Sequence, residues 1–244
     1  MPDIVALHGF TGCAEDFLPL RERLPDLTPL IAPDFPGHGA RRSLRNPADY
    51  SLEAHLRVIS DAVGDRPTVT LLGYSMGGRL ALHWALAHPE RVHRLILIGT
   101  SPGLATPQER EERLLADDAL AKHILSQGLK GFYKYWHNQP FFHSLFRLPP
   151  DRLDPILARR ALNEPAALAL SLAHVGTGAL PSLWSRLREL HCPIDLVAGE
   201  GDPKFVAIAR RMGEQMPKSR LSVIENAGHA VHREQPADLA MLLS

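Results

Sequence analysis

Ser75 lies in Gly73-Tyr74-Ser75-Met76-Gly77, a G-x-S-x-G pattern. Thr68 to Leu72, a run of strand formers, precedes it; Met76 to His88 follows, with Leu80, Trp84 and Ala87 at helical spacing. Strand, sharp turn and helix are the setting in which this pattern exposes a nucleophile. The turn is expected to hold Ser75 at positive φ, a strain of roughly 1–3 kcal/mol that usually serves function. The flanking glycines omit the side-chain atoms that would clash there. A helix N-terminus below Ser75 favours developing negative charge. A serine hydroxyl is a weak nucleophile and a weak base at neutral pH. It needs an imidazole to take its proton and a carboxylate to hold that imidazole. Asp202, in Gly199-Glu200-Gly201-Asp202, and His229, in Asn226-Ala227-Gly228-His229, each follow an expected strand. Asp195 and Glu200 are rival acids, and His232 is a rival histidine.

Two further features bear on chemistry. An oxyanion needs two backbone N–H donors: one from Met76, after the serine, and one from the first-strand loop His8-Gly9-Phe10, most simply Phe10. His8 reads as a buttress of that loop. Arg79 lies four residues after Ser75, and helical side chains lean towards the helix N-terminus. Its guanidinium could meet an anionic substrate, or be salt-bridged on the helix surface.

The elements that must position these residues are legible along the chain. Ile4–Leu7 and Leu30–Ala32 read as strands. Between them Ala14–Leu24 reads as a helix burying Phe17, Leu20 and Leu24. Ser51 caps a helix carrying Leu52, Leu56, Ile59 and Val63. Arg94–Ile98 is the next strand. This alternation predicts a mostly parallel sheet flanked by helices. From residue 100 to 190 the alternation stops. Glu109–Gln127, Asp154–Asn163, Glu164–Val175 and Trp184–Leu190 read as helices, and Gly131–Phe146 is crowded with aromatics. This stretch is expected to be a helical cap inserted into a core of 1–99 and 191–244. Strands Ile194–Ala198 and Leu221–Ile224, with helices at Phe205–Gln215 and from Pro236, complete the core.

Composition narrows the function. The 244 residues carry 27 basic and 27 acidic side chains and no long single-sign run, which argues against nucleic acid or an anionic membrane as partner. Cys13 and Cys192 make no metal-spaced pair and are expected to be reduced thiols. The 13 histidines are scattered, without H-E-x-x-H, so no metal or other cofactor is expected. With no leader and no span-length apolar run, a cytoplasmic protein is expected. The oligomeric state is left open.

With serine, acid and histidine in that order, the chain resembles the α/β-hydrolase superfamily throughout. Within it, the chain is similar to the MenH family of 2-succinyl-6-hydroxy-2,4-cyclohexadiene-1-carboxylate synthases. The likeness is carried by His8-Gly9-Phe10-Thr11-Gly12, by Gly73 to Arg79, by Ser101 to Leu104 running into Gln108 to Arg113, by Trp136-His137-Asn138-Gln139-Pro140, by Gly199 to Phe205 and by Ala227 to Glu234. The resemblance implies a lyase that eliminates pyruvate from a polyanionic cyclohexene, with Ser75, Asp202 and His229 as catalytic residues. It also implies substrate contacts from Tyr74, Arg79, Trp136, Arg160 and either Arg110 or Arg113. Two leading strands common in the superfamily have no counterpart here, so a smaller sheet is expected. A serine hydrolase of an ester, thioester or carbon–carbon bond would use the same triad. A non-catalytic binding protein of this fold would have no need of it.

Overall fold

Short apolar runs, each ending in a turn, become six strands in the computed structural model, which describes residues 2–25 and 28–243. They are β1 (Ile4–Leu7), β2 (Leu30–Ile31), β3 (Val69–Tyr74), β4 (Val92–Ile98), β5 (Ile194–Gly199) and β6 (Ser219–Ile224). Every neighbouring pair is parallel, in the order β2-β1-β3-β4-β5-β6. The parallel arrangement requires crossover helices that cover both faces, so β1, β3 and β5 are buried along their whole length. Alternate residues supply opposite faces. Val5 and Leu7 join Leu71, Leu80 and Trp84 on one side. Ile4 and Ala6 join Phe17, Leu72 and Ile96 on the other.

The helices are α1 (Leu18–Arg21), α2 (Leu52–Val63), α3 (Met76–Ala87), α4 (Pro107–Trp136), α5 (Pro150–Ala161), α6 (Pro165–Val175), α7 (Pro203–Gly213), α8 (Val231–Glu234) and α9 (Pro236–Leu243). Ser51 caps α2, accepting from the Ala54 N–H at 3.1 Å. The helix expected over Ala14–Leu24 is instead a 3-10 turn, Ala14–Phe17, followed by α1. Pro19 has no N–H and is tolerated only in a first helical turn, so a new helix starts beside it. Phe17, Leu20 and Leu24 are nevertheless buried. The helix expected to end at Gln127 continues to Trp136, kinked at Gly128, which has φ 63° and ψ −173°. Trp184–Glu189 is 3-10 rather than α-helical.

Between β4 and β5 the described residues hold no strand. There α4 and α6 pack through Ile124, Phe132, Leu168 and Leu172. Asn163 ties this helical layer to the loop after β1. Its amide donates to the Thr11 carbonyl at 3.0 Å and to the Tyr133 hydroxyl at 2.9 Å.

That loop rests on three buried histidines. His8 Nε2 accepts from the Phe35 N–H at 3.1 Å, so its Nδ1 carries the proton and donates to the Gly9 carbonyl at 2.9 Å. His38 and His55 donate through Nδ1 to the Pro36 and Ser51 carbonyls, each at 3.0 Å. Burial depresses all three below the usual imidazole range, His55 to about 4. A neutral folded histidine binds fewer protons than its unfolded form. Its contribution is intact above about pH 6.5 and declines as the pH falls to about 4. His55 alone accounts for on the order of 3 kcal/mol across that window. Urea unfolding at a series of pH values is expected to show this slope, and His55→Asn to flatten it. An unchanged slope in the variant would mean that His55 titrates normally in the fold.

Candidate active site

Three strand ends converge. β3 stops at Tyr74, and Ser75 takes φ 52° and ψ −109° before α3 begins at Met76. Its N–H is anchored to the Ile98 carbonyl at 2.9 Å. Only glycine fits two residues later: a Cβ on Gly77 would overlap the Leu7 carbonyl. Asp202 follows β5 and caps α7, one carboxylate oxygen accepting from the Phe205 N–H at 3.3 Å. The other oxygen meets His229 Nδ1 at 2.7 Å. A carboxylate only accepts, so Nδ1 donates and Nε2 faces Ser75 as an acceptor. Ser75 Oγ lies 3.1 Å from Nε2, within hydrogen-bond reach of a base.

The rivals are engaged elsewhere. Asp195 lies near the start of β5, clamped between Arg94 and Arg220. Glu200 is exposed and makes no bond to His229. His232 is buried with its ring 4.3 Å from that of Tyr74.

Above Ser75 lies a cavity of about 740 Å³, counting its open mouth. Phe10 and Met76 border it, and neither backbone N–H has an acceptor among the described residues. Trp136 forms part of the wall, edge-on to Phe10 at 5.6 Å and stacked on Phe132 at 5.6 Å. Tyr74 is also in the wall, and burial raises its phenol pKa.

The charges are one-sided. Arg79, Arg113 and Lys204 line the cavity; no carboxylate does among the described residues. Arg79 Nε is buried without a hydrogen-bond partner. Burial, and secondarily the Arg113 charge, lower the Arg79 guanidinium to about 10, still cationic at neutral pH. Arg113 donates through Nε to Asp117 at 2.7 Å, one helical turn along α4.

Comparison with known proteins places this arrangement. The model of the alpha/beta hydrolase family matches residues 4–242. The chain belongs to the alpha/beta hydrolase family. Within that family it is 42% identical over 99% of its length to a Bacillus subtilis (strain 168) protein provisionally named as a 2-succinyl-6-hydroxy-2,4-cyclohexadiene-1-carboxylate synthase, of which it covers 88%. It is 34% identical over its full length to the synthase of that name from Enterobacter sp. (strain 638), covering 90% of it. The structure of MenH from S. aureus superposes with a TM-score of 0.90 at 35% identity, over 99% of this chain and 91% of that one. These likenesses put the chain in the MenH branch of the alpha/beta hydrolases.

In this alpha/beta hydrolase two expected substrate contacts stay away from the cavity. Arg160, at the end of α5, is buried against the Phe142 ring at 5.5 Å and against His137 Nε2 at 3.1 Å. Burial, followed by the Arg233 charge, lowers it to about 10. Arg110 does not line the cavity either, whereas Arg113, three residues on, does. Other wall residues carried no expectation: Lys204, Phe205, Phe141, Ser171 and Thr177. Lys204 lies two positions after Asp202, and that closeness was a usable signal. Ser171 and Thr177 sit in and just after α6, where nothing in the local pattern marks them.

Among the described residues, no helix is long and apolar enough to cross a membrane. No group of three or more His, Cys, Asp or Glu side chains could hold a metal among them.

Proposed function

We propose that this enzyme is a 2-succinyl-6-hydroxy-2,4-cyclohexadiene-1-carboxylate synthase. It eliminates pyruvate from 2-succinyl-5-enolpyruvyl-6-hydroxy-3-cyclohexene-1-carboxylate, a step of menaquinone biosynthesis. The observation that carries the reading is the cavity over Ser75, whose formal charges among the described residues are three cations, Arg79, Arg113 and Lys204. A neutral ester gives such a cavity no purpose, whereas the substrate carries three carboxylates. The relatives' names point to the same reaction.

His229, oriented by Asp202, accepts the Ser75 hydroxyl proton. Ser75 Oγ then takes the acidic proton from the ring carbon beside the succinyl carbonyl. Negative charge moves onto that carbonyl oxygen, which the N–H groups of Phe10 and Met76 hold. The electron pair returns through the ring double bond and breaks the bond between the ring carbon and the enolpyruvyl oxygen. Enolpyruvate leaves and gains a proton at its terminal carbon to become pyruvate. The ring has lost one proton and pyruvate has gained one, with no water consumed. The triad thus serves as a base here; in an esterase it would activate a nucleophile. Arg79 and Arg113 hold carboxylates so that the labile proton faces Ser75, a positioning effect worth several kcal/mol, by about the scale of intramolecular reactions.

Incubation with the cyclohexene substrate tests the reading. Pyruvate and the conjugated diene are expected to appear in equal amounts. Formation of succinate or another free acid without pyruvate would replace the lyase with a hydrolase.

A further inference from the structure

Among the described residues, Lys204 is the one cation at the cavity that neither the triad nor the arginine pair explains. It occupies the second position of α7, just after the Asp202 cap. A cation there opposes the helix dipole, whose positive end lies at the N-terminus. No carboxylate lies within ion-pair distance among the described residues to offset this. The side chain instead runs over the Phe205 ring, its Nζ 5.9 Å from the ring centre. Phe205 in turn packs on the His229 ring at 4.5 Å. The ammonium is therefore held beside the triad from the β5–α7 side, while Arg79 and Arg113 approach from α3 and α4. An unpaired cation in an electrostatically unfavourable place, facing a ligand cavity, fits an anion that arrives with the ligand.

We infer that Lys204 binds the carboxylate of the enolpyruvyl group and stabilises pyruvate as it departs. The inference rests on the lyase reading, which supplies the third carboxylate. Arg79 and Arg113 then divide the ring and succinyl carboxylates between them. Lys204 forms no covalent bond. Its ammonium meets charge that grows on the leaving group as the carbon–oxygen bond breaks, so its loss affects the transition state as well as binding.

A charge series at this position tests the assignment. K204M keeps most of the stem and removes the charge; K204R keeps the charge; K204E reverses it. Pyruvate release from the cyclohexene substrate is expected to fall about tenfold in kcat/KM for K204M. K204R should recover most of that loss, and K204E should fall below K204M. Heat midpoints should stay together, because the side chain is exposed. Competitive inhibition by pyruvate should weaken in K204M more than inhibition by succinate, which probes the arginine side. A kcat/KM that ignores charge across the series would overturn the assignment. So would equal weakening of both inhibitors, which would reduce Lys204 to general attraction of anions. Wild-type protein that released no pyruvate would fail the lyase reading and this inference together. Wild-type release matched by K204M and K204E would fail this inference alone.

Discussion

Ser75→Ala is expected to lower pyruvate release by on the order of a thousandfold or more while leaving the fold intact. The size follows from the position of the hydroxyl. It is the only oxygen in hydrogen-bond reach of His229 Nε2 among the described residues, at 3.1 Å, and it would carry the proton-abstracting charge. Stability should change little, because alanine removes only a partly exposed hydroxyl and leaves the residue 75 backbone, with its positive φ and its bond to Ile98, as it is. His229→Ala should cost a similar factor and Asp202→Asn somewhat less, since the amide can still hold the ring but favours the other tautomer. The losses should not add: Ser75→Ala with His229→Ala should be little worse than either alone. Steady-state pyruvate release and a thermal melt of each variant check this. Near-normal turnover in Asp202→Asn beside an inactive Glu200→Gln would move the acid to Glu200, against the 2.7 Å contact of Asp202.

Arg79→Ala is expected to have the next largest effect. The guanidinium keeps its charge in a largely dry place, with Nε unpartnered and Arg113 as a like-charged neighbour. Asp117 offsets this only in part, the net effect still lowering the guanidinium to about 10, so a substrate carboxylate should supply the remaining compensation. A charge-assisted hydrogen bond of this kind is worth about 1.5–3 kcal/mol, or roughly ten- to hundredfold. The loss should appear in KM and in kcat, because a mislaid ring turns its labile proton away from Ser75. The fold should hold, since the change removes a desolvated guanidinium that has Arg113 as a like-charged neighbour and Asp117 as an opposite one. Kinetics on the anionic substrate with urea unfolding alongside separate these effects. Full retention of kcat/KM would mean that Arg79 meets no carboxylate.

Much of this site was legible from residue type and order. A strand, G-x-S-x-G and a helix fix where a serine must project, because few backbones pass that turn. Asp202 and His229 could be found because parallel strands bring their C-terminal ends to one edge. Asp195 was a rival only until its strand position placed it at the opposite end, beside Arg94 and Arg220. Arg160 and Arg110 show what local pattern leaves out. Both lie on helices of the layer between β4 and β5. Which face of such a helix meets the cavity depends on tertiary packing, here through Phe142, His137 and the α4–α6 contact. The Gly128 kink read as a helix end for the same reason. A glycine that breaks helical geometry looks alike in sequence whether or not the chain resumes the helix beyond it. Asp117, which holds Arg113, escaped notice as one of several acids on a charged helix.

The central claim is that Ser75 and its partners run an elimination, and oxygen-18 water tests it most directly. The enzyme is mixed with the cyclohexene substrate in labelled water, and early products are examined by mass spectrometry before pyruvate exchanges its carbonyl oxygen with solvent. Elimination predicts pyruvate whose oxygens all come from the substrate, a diene retaining its succinyl group, and unmodified Ser75. A free acid carrying solvent oxygen, or a covalent adduct accumulating on Ser75, would contradict it.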